Sequence, residues 1–118
     1  KRIADAFAGV FIHCCGEWGR HAKALGASSI NILGMEFHHP FTTAEQIVEH
    51  LPGVVLTPYL ADFADHLYDG YVEFVLDVME TCRGTNPLWI AASDELLPVD
   101  ELREALGARG AEPGGFCE

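Results

Sequence analysis

Gly9-Val10-Phe11-Ile12-His13-Cys14-Cys15 is the first strand-like run of the chain. Its β-branched and aromatic residues favour an extended backbone. Gly16 breaks the run, and Trp18 to Leu25 read as a short helix that Gly26 stops. The same strand-then-helix unit recurs outward from there. Ser28 to Leu33 form a second run through Ile30, Ile32 and Leu33, followed by a loop, Gly34-Met35-Glu36-Phe37-His38-His39-Pro40. Thr42 with Glu45 three residues on is a capping-box pattern, and it starts a helix that reaches about Leu51 before Pro52-Gly53 ends it. Val54 to Pro58 are the third run, and Tyr59 to Tyr68 read as a loop with a helical turn. Tyr71 to Cys82 place Val72, Val75, Leu76 and Met79 on one helical stripe, and Gly84 is the stop. Leu88 to Ala92 are the fourth run. Pro98 then sits near the first position of a last helix, with Val99, Leu102 and Leu106 on its inner face.

Strands that alternate with helices predict an α/β fold with four parallel βα units, because each helix carries the chain back across the sheet. Such units build either an open doubly wound sheet or part of a (β/α)8 barrel. A barrel needs about 250 residues to close, and this chain has 118. Residues 1–109 are expected to form the domain and the Gly- and Pro-containing stretch 110–118 a flexible tail.

Composition narrows the functional classes. Hydrophobic residues make up 49% and charged residues 21%, which is globular. Seven Lys and Arg stand against 18 Asp and Glu, for a net charge of -11. That balance excludes a nucleic-acid backbone binder and opposes docking on anionic lipid. No apolar run approaches the ~20 residues of a membrane span, and the acid in Lys1-Arg2-Ile3-Ala4-Asp5 interrupts any secretory pattern. The four cysteines are Cys14, Cys15, Cys82 and Cys117. Two of them are adjacent, which is not a disulfide framework, so a reducing, cytoplasmic setting is expected.

The motif that carries chemistry is His13-Cys14-Cys15-Gly16. Side chains alternate across a strand, so His13 and Cys15 share a face and Cys14 points away. Imidazole and thiolate two residues apart can ligate one zinc ion. They lie at the carboxyl end of the strand, where parallel sheets place their sites, and Gly16 is expected to let the chain turn sharply beside the metal. A buried Cys and a hydrogen-bonded His in a core strand are the plainer alternative.

Phe11-Ile12-His13-Cys14-Cys15-Gly16-Glu17 resembles the His-x-Cys-Gly strand of the uroporphyrinogen decarboxylase superfamily, and more closely its zinc-dependent corrinoid methyltransferase branch. Leu25-Gly26-Ala27 is similar to that family's Gly-Ala-Asp segment. Leu51-Pro52-Gly53-Val54-Val55-Leu56 resembles its Leu-Pro-x-Val-x-Leu strand. Ile90-Ala91-Ala92-Ser93-Asp94-Glu95-Leu96-Leu97-Pro98 resembles the last strand and its exit loop. The likeness spans the C-terminal half of a family member, so it implies strands five to eight of a (β/α)8 barrel. It implies zinc on His13 and Cys15. The family's third ligand is a later Cys that falls at or beside Asp94, whose carboxylate can also ligate; Ser93 and Glu95 flank it. The implied reaction transfers a methyl group from a corrinoid to a thiol, with a corrinoid protein as partner. The decarboxylase branch acts on a tetrapyrrole without metal, and its essential Arg and Asp lie in the half this chain lacks.

Other residues are weaker candidates. Glu36 and His38 follow the second run and could add a ligand or a proton carrier, although an exposed polar loop accounts for them more simply. Tyr59 and Asp62 follow the third run and could hydrogen-bond a substrate. His21, His50 and His66 read as helix-surface residues, Cys82 as packing, and Trp18 and Trp89 as core or rim. Acids near the start of the last helix suit its dipole. Open strand edges recruit other chains, so self-association into a homo-oligomer is expected.

Overall fold

The computed structural model describes residues 2–90 and 99–108. The chain is mixed α/β. Its elements are α1 (Arg2–Ala6), β1 (Val10–His13), α2 (Ala22–Gly26), β2 (Ile32–His39), α3 (Ala44–Val48), β3 (Val55–Leu60), α4 (Tyr71–Cys82) and α5 (Val99–Ala108). Short 3-10 turns cover Gly19–His21 and Asp62–Leu67. The three strands form one parallel sheet in the order β1-β2-β3. Beyond β3, Leu88 bridges Leu56 in parallel, with Leu56 N–H on the Pro87 carbonyl and Trp89 N–H on the Leu56 carbonyl, both at 2.9 Å. The start of the fourth run therefore docks beside β3. Ala91, Ala92, Ser93, Asp94, Glu95, Pro98 and residues 109–118 lie outside the described residues.

Period-two alternation decides which side of the sheet is covered. Val10 and Ile12 on β1, Met35 and Phe37 on β2, and Leu56 on β3 face the helices. Trp18 and Ala22, then Ala44 and Ile47, then Val72, Phe74, Val75, Leu76 and Val78, then Leu102 and Leu106 complete one core on that side. Phe37, Phe74, Ile47 and Leu56 are fully buried. The last helix buries Leu102 and Leu106 as expected, whereas Val99 is only partly buried at its first position, and α4 matches its expected span.

The second strand differs from the sequence expectation. It runs over Ile32–His39, so the stretch expected as a loop is the strand itself. Polar Glu36 and His38 mimic a loop, but they alternate with Met35 and Phe37, which point into the core. Ile32 pairs with Val10 and Gly34 with Phe11, so Leu33 is an extra residue in a bulge. The capping box is displaced by one residue. Thr43 is the N-cap and its N–H donates to Gln46 Oε1 at 3.0 Å. Thr42 is free for another task. The helix it precedes stops at Val48, short of Leu51.

Among the described residues, no helix is long and apolar enough to cross a membrane. Cys82 packs in the core, 1% exposed. Burial, aided by the Glu45 charge, pushes its thiol up to about 11. Burial, then Tyr59, pushes Tyr71 up to about 12. Both groups are therefore protonated in the folded chain at pH values where the unfolded chain ionises. Stability from them is intact below pH 9 and is lost as pH rises, first through Cys82 between about 9 and 11, then through Tyr71 between about 10 and 12. Urea midpoints are expected to fall over that range, and Cys82→Ala removes the earlier part of the fall. A flat profile to pH 11 contradicts this.

Candidate functional site

The face of the sheet away from the helices is built in rows. Strands in register put paired residues on one face, so His13, Glu36 and Thr57 form one row and Phe11, Gly34 and Val55 the row before it. His38 and Tyr59 pair in the row after it, at the carboxyl end. Glu36, His38 and Tyr59 thus stand beside His13 on neighbouring strands.

Cys15 Sγ lies 3.1 Å from His13 Nε2. His13 Nδ1 lies 2.5 Å from Glu36 Oε1, and His38 Nε2 lies 3.3 Å from the same oxygen. With its Nδ1–H donated to the carboxylate, a neutral His13 ring presents the Nε2 lone pair toward Cys15. His38 meets His13 edge-on at 6.2 Å and stacks on Tyr59 at 5.1 Å, 19° between planes. Burial first, and the Glu36 charge second, raise the Tyr59 phenol above its ordinary range. Cys14 instead packs against the core. The site opens to solvent at His13, whose side chain is 61% exposed, while that of Glu36 is 17% exposed.

The loop after Cys15 is held by Thr42. Its hydroxyl donates to the Gly16 carbonyl at 3.1 Å and accepts from Trp18 N–H at 3.0 Å and Gly19 N–H at 3.3 Å. The chain bends at Cys15–Gly16 as expected, but the bend does not require a glycine. The Gly16 φ is not positive and a Cβ there meets nothing within 4 Å. The Thr42 hydroxyl holds the bend through the Gly16 carbonyl, which any residue could supply. Thr42→Val is expected to cost about 1–3 kcal/mol, since two buried amides lose their acceptor. Hydrogen exchange at Trp18 and Gly19 should speed up with it, and unchanged exchange rates there would count against the latch.

Sequence reasoning put Glu36 and His38 in a loop and missed their tie to His13. The odd-even alternation of residues 34–38 is the signal that could have shown it. Thr42 and Thr57 were also missed. Thr57 is 6% exposed, and its Oγ1 has no hydrogen-bond partner among the described residues.

The donor chemistry at His13 and Cys15 suits a zinc ion: an imidazole Nε2 and a thiol converge, and a carboxylate holds the far ring nitrogen, as in carboxylate–histidine–zinc arrangements. The described residues do not include three His, Cys, Asp or Glu grouped to hold a metal. A third ligand for a metal at His13 and Cys15 would have to come from outside the described residues, where Asp94 lies.

No family model, curated protein or solved structure matches this chain.

Proposed function

We propose that the chain is a half-barrel related to the uroporphyrinogen decarboxylase superfamily, and that it takes part in zinc-dependent transfer of a methyl group from a corrinoid to a thiol. The observation that carries this is the convergence of Cys15 Sγ and His13 Nε2, 3.1 Å apart, at the carboxyl end of β1 with Glu36 on His13 Nδ1. Strand order adds support. β1, β2, β3 and Leu88 are added in sequence, all parallel, with one core on one side. Barrels grow that way, whereas doubly wound sheets reverse their strand order at a switch point.

In this reading His13 and Cys15 would hold the metal, with Asp94 as third ligand. Zinc held there would supply Lewis acidity that keeps a substrate thiol ionised near neutral pH; the thiolate would form the new sulfur–carbon bond as the cobalt–carbon bond of the corrinoid breaks, both electrons of that bond leaving with cobalt. Glu36 fixes the His13 ring, and His38 shares the same carboxylate oxygen. Tyr59 stacks on His38 at the carboxyl end of the face, and in this reading it would touch the substrate. A corrinoid protein and a small thiol are the partners. Self-association through the free edge of β1 belongs to the same proposal, since among the described residues β1 pairs only with β2.

The test is methylation of a thiol from methylcobalamin by zinc-loaded protein, followed by the loss of the methylcobalamin spectrum. Turnover that a chelator removes and zinc restores is expected. Turnover no faster than the protein-free control contradicts the proposal.

A further inference from the structure

Thr42 carries a buried hydroxyl that α3 does not need, because the N-cap of that helix is Thr43. Thr42 is 0% exposed. A hydroxyl has one proton and two lone pairs to offer. Here all three are used: the O–H donates to the Gly16 carbonyl at 3.1 Å, and the lone pairs accept from Trp18 N–H at 3.0 Å and Gly19 N–H at 3.3 Å. A buried hydroxyl with every bond made is held in one geometry. The backbone N–H of the same residue donates to the His38 carbonyl at 3.0 Å.

These bonds reach both sides of the candidate site. β1 ends at His13, so strand pairing does not hold Cys15. Cys14 packs against the core, and the Gly16 carbonyl, one residue past Cys15, is tied to Thr42. The Cys15 backbone therefore hangs between the register of β1 and the Thr42 hydroxyl. On the other side, His38 belongs to β2, the strand that brings Glu36 Oε1 to His13 Nδ1 at 2.5 Å. One residue thus refers the Cys15 bend to the strand that orients the His13 ring. Trp18 makes the reference firm, since it is 6% exposed and packed in the core with Ala22 and Ile47. Gly19 lies against the start of α3, so close to the Gln46 side chain that a Cβ there would collide with it.

We propose that Thr42 is a positioning residue for Cys15: through the Gly16 carbonyl it sets where Sγ stands, 3.1 Å from His13 Nε2. This deepens the proposed methyl transfer by naming what pre-organises its metal ligands, and it rests on that reading for the role of the metal. The convergence of Sγ and Nε2 makes no use of the metal. A ligand pair held in place before the ion arrives loses less freedom on binding than a loose pair. Loss of the hold is expected to act as loss of an outer-shell partner does, about 10–100-fold in affinity.

Thr42→Val removes the hydroxyl at nearly constant shape, and Thr42→Ser keeps it. Zinc affinity is measured for both by chelator competition, alone and combined with Cys15→Ala. Thr42→Val is expected to bind zinc at least about tenfold more weakly, and Thr42→Ser should restore the wild-type value. In the Cys15→Ala background Thr42→Val should change affinity by less than about twofold, because it acts through a thiol already lost. A general loosening of the fold would cost the same in both backgrounds. Proton NMR of metal-free protein supplies a second readout. The nuclear Overhauser contact between the Cys15 β protons and the His13 ring protons beside Nε2 should be present in wild type and Thr42→Ser and absent in Thr42→Val. Circular dichroism checks that each variant folds, and Thr42→Ala, which also lacks the hydroxyl, takes the place of a Thr42→Val chain that does not. Failure of both to fold overturns the proposal, since the hydroxyl then serves the whole fold. Wild-type protein that takes up no zinc overturns the methyl-transfer reading, and the Overhauser contact then decides the role of Thr42. A contact that persists in Thr42→Val overturns that role, as does undiminished zinc uptake by the variant, an equal loss in both backgrounds, or no rescue by Thr42→Ser.

Discussion

Zinc affinity is expected to fall about a hundredfold or more when either His13 or Cys15 is replaced by alanine. The magnitude follows from structural zinc sites, whose ~10–16 kcal/mol of binding spread over four ligands is about 3 kcal/mol for each. Cys15 is exposed and His13 Nε2 faces it at 3.1 Å, so neither substitution opens the core. The two effects should not add, because loss of one ligand already breaks the chelate. Glu36→Gln keeps an acceptor for the His13 ring but not its charge, and should cost less, within the ~10–100-fold of outer-shell partners. Competition with a chromogenic chelator measures all three. Wild-type affinity in His13→Ala would place the metal elsewhere.

Phe74→Ala is expected to destabilise the fold by about 3–5 kcal/mol, the usual cost of removing a buried aromatic ring. Phe74 is fully buried and joins three parts of the fold. Its ring meets Tyr71 on its own helix, Tyr68 on the preceding loop and His39 at the end of β2, with centroids 5.3–5.6 Å apart. Tyr68 cannot follow into the cavity, because its hydroxyl is tied to Asp77 at 2.8 Å. Most domains hold only about 5–15 kcal/mol in reserve, so the variant should show a clearly lower urea midpoint. A shift under about 1 kcal/mol would mean that His39 and its neighbours collapse into the space, contrary to the packing described.

The helix α4 was legible because its stripe and its Gly84 end agree; Gly84 has φ +76°, a conformation that favours glycine. The parallel βα order was legible because local periodicity encodes it. β2 was not, since a strand with one polar face and a Leu33 bulge breaks the count that sequence reading relies on. The capping box was misplaced because Thr42 and Thr43 both fit the pattern, and only tertiary contact with Gly16 and Trp18 tells them apart. At the site, His13 and Cys15 could be paired because they lie two residues apart in sequence, although β1 ends at His13 and Cys15 sits in the bend after it rather than on the strand. Their tie to Glu36 crosses strands and depends on register, which no local pattern specifies. Phe11 and Trp89 meet across 78 positions of sequence for the same reason.

The most direct measurement is the absorption spectrum of the protein loaded with cobalt(II) in place of zinc. The account predicts a thiolate-to-cobalt charge-transfer band and intense visible bands of a low-coordinate site, with the charge-transfer band lost in Cys15→Ala and retained in Cys82→Ala. A spectrum like that of cobalt in water, or a thiolate band that survives Cys15→Ala, would contradict it.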